Sequence, residues 1–146
     1  MPLEVLYRDE HLVAINKPHG LLVHRSKMAN DAKAFALQIL RDQMNTRVYP
    51  IHRLDRKTGG VLLFGLNEEL HREMQQLFAE RRVKKKYMAI VRGFVKDEQT
   101  IDSPLRNEKG QVQDAITRIR PIEQVELDIP FGQHLTSRYT VLEAIP

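Results

Sequence analysis

A charged turn that leads directly into an apolar strand lies near the middle of the sequence. Residues 52–64 read His52-Arg53-Leu54-Asp55-Arg56-Lys57-Thr58-Gly59-Gly60-Val61-Leu62-Leu63-Phe64. The two glycines permit an unusual backbone conformation at the exit of the turn. The apolar run that follows them is typical of a strand buried within a sheet. The stretch therefore predicts a core strand whose N-terminal end carries an exposed, charged loop.

Further strands are predicted on both sides of this segment from short β-rich and apolar runs bounded by turn residues. They lie at residues 5–7, 12–15, 87–91, 117–122, 125–127 and 137–144. Residues 21–23 and 46–51 are expected to be extended, and residues 17–20 form a turn because they contain proline and glycine. Many strands and few helices predict a mixed α+β fold, with a largely antiparallel sheet and a few flanking helices.

Two helices are predicted from apolar spacing and from capping residues. Asp31 is expected to cap the first helix, which runs to about Met44. Asn67 is expected to cap the second, which ends in Arg81 and Arg82. The apolar positions of this second helix fall on one face, at Leu70, Met74, Leu77 and Phe78.

The composition limits the classes of protein to which the chain can belong. Its 146 residues, 42% hydrophobic and 29% charged, predict one globular domain over residues 1–146. The net charge of +4 and the isoelectric point of about 9.5 suit an anionic partner, which could be RNA, DNA or an acidic membrane surface. The absence of cysteine excludes disulfides, a thiol nucleophile and thiolate metal sites.

Several other functions lack their sequence signals. No secretory signal or membrane-spanning apolar run is present, so we expect a cytoplasmic protein. G-x-S-x-G, P-loop and G-x-G-x-x-G motifs are absent, which disfavours acyl transfer, nucleotide hydrolysis and dinucleotide binding. A glycosidase would need a second placed carboxylate. The candidates for it, Glu123, Glu126 and Asp128, are predicted to form the outer face of a strand region.

Asp55 is the first candidate for chemistry, because four ionisable side chains surround its carboxylate in the sequence. They are His52, Arg53, Arg56 and Lys57. A carboxylate acts as a nucleophile when it stays ionised and is held in place, and nearby arginines favour the ionised form and attract phosphates. The charge pattern alone is more typical of a surface turn with a solvated Asp–Arg pair.

A basic cluster provides the second candidate, with five cations in the six positions 81–86. They are Arg81, Arg82, Lys84, Lys85 and Lys86. Such a run usually forms a solvated face, but beside Tyr87 it is also suited to contacting nucleic-acid phosphates.

The segment from His52 to Gly60 resembles the catalytic motif of RluA-type pseudouridine synthases, in which His-Arg-Leu-Asp precedes Thr, a small residue, Gly and an apolar strand. Gly59 stands where that family often has serine. The Asn16-Lys17-Pro18-His19-Gly20 turn and the Lys85-Lys86-Tyr87-Met88-Ala89-Ile90-Val91-Arg92-Gly93 segment resemble two further family motifs in the same order. Val23-His24-Arg25-Ser26 is most similar to the tRNA pseudouridine synthase C subgroup.

This resemblance implies the catalytic-domain fold of the family and a role for each matching residue. Asp55 would be the nucleophile on a flipped uridine, attacking C6 of the base or C1′ of the sugar. Tyr87 would stack on the uracil and is a candidate for the later proton abstraction. Arg53 would fill or brace the space that the base leaves. His52, Arg56, Lys84, Lys85 and Lys86 would contribute to substrate binding.

The resemblance also implies which other molecules take part. It implies no cofactor and no metal, and the six scattered histidines lack metal-site spacing. The expected partner is RNA, with tRNA as the first choice and ribosomal RNA as the alternative, and the protein is expected to act as a monomer without a membrane partner.

In the family, the strand corresponding to residues 137–144 continues into a Thr-Gly-Arg-x-His-Gln-x-Arg segment, which supplies an arginine that pairs with the catalytic aspartate. This sequence reaches Pro146 without such a segment. The resemblance therefore implies that residues 1–146 form the N-terminal portion of the catalytic domain. Two interpretations follow: an enzyme, or an RNA-binding remnant without turnover.

Overall fold

The structure is a computed structural model that describes residues 1–25, 34–107 and 109–146. It divides into two compact units, Met1–Val83 and Lys84–Pro146. Both units are built on antiparallel sheets, and the two described helices lie in the first unit. The predicted mixed α+β fold with a largely antiparallel sheet is therefore confirmed.

The first unit contains a four-stranded sheet with the strand order β1-β2-β4-β3. Its strands are β1 (Glu4–Arg8), β2 (Leu12–Lys17), β3 (Tyr49–Pro50) and β4 (Gly60–Gly65). Neighbouring strands are antiparallel, and Ile15 lies opposite Leu62 while Val13 lies opposite Phe64. All four of these side chains are fully buried. The apolar run that follows the charged turn is thus a core strand, as its sequence predicts.

Helix α1 (Ala36–Met44) begins later than Asp31, and Phe35 occupies its N-cap position without a capping side-chain hydrogen bond. Asp31 itself lies outside the described residues, as does Ser26. Two backbone bonds hold the start of the helix, because the N–H groups of Ala36 and Leu37 donate to the carbonyls of Leu22 and Val23. The run at 21–23 serves as this anchor, and its Leu22 forms an isolated bridge with Phe35.

Helix α2 (Glu68–Ala79) has the predicted cap, because the Asn67 side chain accepts the Leu70 N–H at 2.8 Å. The helix stops two residues before the predicted Arg81–Arg82 end. Arg81 adopts a positive φ of 56°, and the Arg82 N–H donates to the carbonyl of Leu77. This left-handed residue ends the helix and satisfies a terminal carbonyl.

The second unit contains a four-stranded antiparallel sheet with the order β5-β10-β9-β6, and a separate β7-β8 pair. Its strands are β5 (Tyr87–Arg92), β6 (Gln99–Asp102), β7 (Leu105–Arg106), β8 (Val112–Gln113), β9 (Ile116–Leu127) and β10 (Ser137–Ile145). The sequence did not predict β6, β7 or β8, whose side chains are all exposed and therefore lack an apolar pattern.

Strand β9 is continuous, so the prediction of two strands at 117–122 and 125–127 was wrong. The register against β10 shifts between Val141, which faces Glu123, and Leu142, which faces Pro121. A bulge of this kind accommodates a proline within a sheet. The polar Glu123 and Gln124 of the predicted break therefore lie within one long strand, beside this irregularity.

Candidate active site

The charged loop between β3 and β4 exposes Asp55 and buries the residues that anchor it. Ile51 and Leu54 are buried, whereas Arg53 and Asp55 are exposed. The Thr58 N–H donates to the Asp55 carbonyl at 3.0 Å and closes a tight turn. Asp55 is therefore the first residue of a hydrogen-bonded turn, and the buried Leu54 directly before it anchors the loop.

His52 contacts helix α2 and strand β4 of the first unit. Its half-buried ring stacks on Phe78 of α2, with centroids 4.8 Å apart and planes 16° from parallel. The Leu63 N–H donates to its Nε2 at 3.2 Å. These contacts fix one end of the loop to the helix and the core strand. The predicted contact of His52 with substrate stays a prediction. The His52 ring already contacts Phe78 and the Leu63 N–H.

A second loop, the turn after β2, supports the Asp55 loop from the side. The Gly20 N–H donates to the Arg56 carbonyl at 2.7 Å, and Arg56 Nε donates back to the Gly20 carbonyl at 3.2 Å. A Cβ on Gly59 would lie 3.2 Å from the carbonyl oxygen of Lys17. Glycine at position 59, where the resembling family often has serine, thus permits the close approach of the two loops.

Lys17 is the residue of this site that the sequence analysis missed. Its side chain is fully buried, and Nζ donates to the carbonyls of Leu21 at 2.7 Å and Pro18 at 3.1 Å. Burial lowers the pKa of the Lys17 ammonium, and the negative charge of Asp55 opposes this change. A signal was present, because Lys17 has the same strand parity as the inward-facing Val13 and Ile15.

Tyr87 is the first residue of β5 in the second unit and is half-buried. It lies opposite Ala144 in the register with β10. The neighbouring Lys86 is paired with Glu143, whose carboxylate contacts Lys86 Nζ at 3.0 Å and Arg120 at 3.4 Å. The pKa of Glu143 is lowered, mainly by its hydrogen bond from Lys86. The positive charges of Lys86 and Arg120 lower it further. This pairing ties the backbone entering Tyr87 to the central strand β10.

The basic cluster is not uniform. Arg81 and Arg82 close the helix of the first unit, and Arg82 lies 3.5 Å from Glu80. Lys84, Lys85 and Lys86 belong to the second unit and are all exposed. Among the described residues, Lys84 and Lys85 form no ion pair with a carboxylate, whereas Lys86 shares its charge with Glu143. Lys84 and Lys85 are thus the members best suited to contact an external anion.

The alternative carboxylates are exposed, as their assignment to an outer face predicts. Glu126 is also engaged, because it accepts hydrogen bonds from Thr136 at 2.6 Å and from Arg138 at 3.1 Å. Within residues 1–25, 34–107 and 109–146, no three His, Asp or Glu side chains are grouped to hold a metal ion. No helix in that part of the chain is long and apolar enough to cross a membrane.

Comparison with known proteins points to one family. The profile described as RNA pseudouridylate synthase matches residues 11–144. The chain is 44% identical to tRNA pseudouridine synthase C of Haemophilus ducreyi, over 100% of this chain and 64% of that protein. It is 42% identical to the protein of the same name from Vibrio cholerae, over 99% of this chain and again 64% of the relative. The chain therefore spans slightly less than two thirds of the length of these two relatives.

Two solved structures share its fold. Human RNA pseudouridylate synthase domain containing 4 superposes with a TM-score of 0.68 at 26% identity, covering 98% of this chain and 58% of that one. Human RNA pseudouridylate synthase domain containing 1 gives a TM-score of 0.71 at 21% identity, with coverages of 97% and 59%. The antiparallel architecture described above is the architecture of these domains.

Proposed function

Since the chain belongs to the RNA pseudouridylate synthase family, we propose that it isomerises a uridine of RNA to pseudouridine, with Asp55 as the nucleophile. The observation that carries the proposal is the combination of the family match with an exposed Asp55 on a loop that buried residues and a second loop hold in place. A nucleophile needs this combination of access and fixed position.

The chemistry begins with removal of the target base from its stack, which costs a few kcal/mol. Tyr87 offers an aromatic face that returns about 1–3 kcal/mol by stacking, and Arg53 fills or braces the space that the base leaves. The exposure of Arg53 supports a role outside the first unit's core.

A carboxylate oxygen of Asp55 then forms a bond, either to C6 of the uracil or to C1′ of the ribose. The glycosidic bond between N1 and C1′ breaks, the base rotates, and a new bond forms between C5 and C1′. The bond to Asp55 is released, C5 loses its proton, and N1 gains one. Tyr87 is our candidate for the proton abstraction. The product has the same atoms as the substrate, so the reaction requires no oxidant, reductant or leaving group.

We further propose that both compact units act as parts of one catalytic domain, because the family profile runs through both of them. Lys84 and Lys85 are proposed to attract the phosphate backbone, with smaller contributions from His52, Arg56 and Lys86, whose side chains already have partners within the protein. We propose that the protein acts as a monomer in the cytoplasm.

The proposed substrate is tRNA, because the named relatives above 40% identity are tRNA pseudouridine synthases. Mapping pseudouridines in the total RNA of cells with and without the gene tests this. Loss of a pseudouridine in tRNA is the expected result. Loss of a pseudouridine in ribosomal RNA would identify ribosomal RNA as the substrate instead. An unchanged map would contradict the proposed function.

A further inference from the structure

A cleft of about 470 Å³ lies within the second unit, beside the loop that joins β9 to β10. Its walls are Arg92 and Gly93 at the end of β5, Phe131 in the loop, and residues 133–138. A volume of this size falls in the range of small-molecule sites. The nucleophile and the stacking tyrosine of the proposed function do not belong to this wall, so the cleft is a separate feature of the second unit.

The loop that forms the cleft is internally braced. The backbone N–H groups of Phe131 and His134 each donate to the carbonyl of the other residue at 3.0 Å. The Ser137 hydroxyl donates to the Ile129 carbonyl at 2.7 Å. Gly132 supplies the positive φ of 59° that the tip requires. The cleft is therefore held open by its own backbone, and a ligand that enters it does not have to order the loop.

An arginine stacked on an aromatic ring lines this cleft. The Arg92 guanidinium lies 3.6 Å from the centre of the Phe131 ring, and Phe131 is 54% exposed. Among the residues that the structure describes, Arg92 forms no ion pair with a carboxylate. A planar guanidinium on a ring keeps its hydrogen-bonding edge available for phosphate, and exposed rings and guanidinium planes are surfaces on which unpaired bases stack.

Glu126, which lies opposite Arg138 of the cleft in the register of β9 and β10, has its own partners. Glu126 is engaged by Arg138, which lines the cleft, and by the hydroxyl of Thr136. These two hydrogen bonds lower the pKa of Glu126. The acid and the second arginine thus form a neutral pair, while Arg92 carries a positive charge that is in no ion pair with a described carboxylate. Charge and ring together match a nucleotide, which carries one phosphate and one flat base.

We propose that this cleft binds one unpaired nucleotide of the RNA, with the base on the Arg92–Phe131 stack and the phosphate on the Arg92 guanidinium. This site rests on the proposed function only in taking RNA as its ligand, and it does not require turnover at Asp55. It gives the second unit a contact that favours RNA with an unpaired nucleotide at a defined place.

The test measures the affinity of the chain for a short, fluorescein-labelled single-stranded RNA by fluorescence anisotropy. Phe131→Leu keeps an apolar side chain but removes the ring, and we expect its Kd to rise about tenfold, as for loss of one base stack. Phe131→Tyr keeps the ring and should bind as the wild type does. Tyr7→Leu removes a similarly exposed ring, 53% exposed, from the first unit and is the matched control. Circular dichroism verifies that each variant is folded.

Each outcome decides the proposal. A Phe131→Leu chain that binds RNA as tightly as the wild type overturns the cleft site and leaves the role of Asp55 untouched. A Phe131→Leu chain with unchanged RNA affinity but altered sedimentation assigns the cleft to self-association, which also overturns the proposal. A wild-type chain without RNA affinity overturns the cleft as well. Asp55→Asn is expected to bind this RNA normally, so a failure of the catalytic proposal is distinguishable from a failure of this one.

Discussion

Gly20 and Arg56 join the turn after β2 to the loop that carries Asp55 through a reciprocal pair of hydrogen bonds. The Gly20 N–H donates to the Arg56 carbonyl at 2.7 Å, and Arg56 Nε donates to the Gly20 carbonyl at 3.2 Å. Arg56 follows Asp55 directly in the chain, so this pair restricts the position of the proposed nucleophile. A cation predicted to contact RNA is thereby also a positioning residue.

Arg56→Lys separates these two roles, because it keeps the charge and removes the Nε donor. We expect the free energy of unfolding to fall by about 0.5–1.5 kcal/mol, and pseudouridine formation to fall by roughly tenfold to a hundredfold as Asp55 loses its fixed position. The dependence of RNA affinity on salt should not change. A variant with full activity would show that the side-chain bond to Gly20 does not position Asp55.

The charges of Lys17 and Asp55 interact. Because the charge of Asp55 opposes the effect of burial, Asp55→Asn should lower the pKa of Lys17 still further. An NMR titration of the Lys17 side chain measures this value. Asp97→Asn, an exposed aspartate of the second unit, is the control and should leave it unchanged. An equal pKa of Lys17 in all three proteins would contradict the coupling.

Glu143 makes the second unit sensitive to acid. Its folded pKa is lowered by Lys86 and Arg120, so its contribution to stability is present above its unfolded pKa and is lost as the pH falls through the lowered folded value. Glu143→Gln should therefore reduce the melting temperature at neutral pH, and the difference from the wild type should narrow in acid. Glu98→Gln breaks the more exposed pair with Arg118 and should have little effect. A constant difference at all pH values would contradict this assignment.

The lysines before Tyr87 should differ in their contributions to RNA binding. Removing a lysine that contacts a phosphate reduces the slope of log affinity against log salt by roughly one unit. We expect this loss for Lys84→Ala and Lys85→Ala, and a smaller one for Lys86→Ala, because Lys86 shares its charge with Glu143 at 3.0 Å. Affinities measured at several salt concentrations give the slopes. An unchanged slope in the first two variants would show that Lys84 and Lys85 do not contact phosphates.

The core of the fold was predictable where burial leaves a pattern in the sequence. In the apolar run of β4, Leu62 and Phe64 are buried while Val61 is exposed, and Asn67 is a helix cap that local chemistry alone identifies. Strands β6, β7 and β8 left no such pattern, since their side chains are exposed. The polar Glu123 and Gln124 separated two predicted strands, whereas pairing with β10 continues through them as one strand.

The candidate site was predictable in part for similar reasons. Asp55 and Tyr87 were identified through motifs, and the structure describes their surroundings without testing their roles. The stacking of His52 depends on Phe78, which lies 26 positions further along the chain. The Arg92–Phe131 stack likewise depends on a contact between segments that are distant in sequence. Sequence patterns record the type of residue, whereas these contacts are fixed by the packing of the fold.

The most direct test of the account replaces Asp55 with Asn in the gene and maps pseudouridines in the RNA of those cells, with Asp97→Asn cells as the matched control. If Asp55 is the nucleophile, the Asp55→Asn cells lose the same pseudouridine as cells without the gene, while the Asp97→Asn cells keep it. A pseudouridine retained at that position in the Asp55→Asn cells would contradict the account.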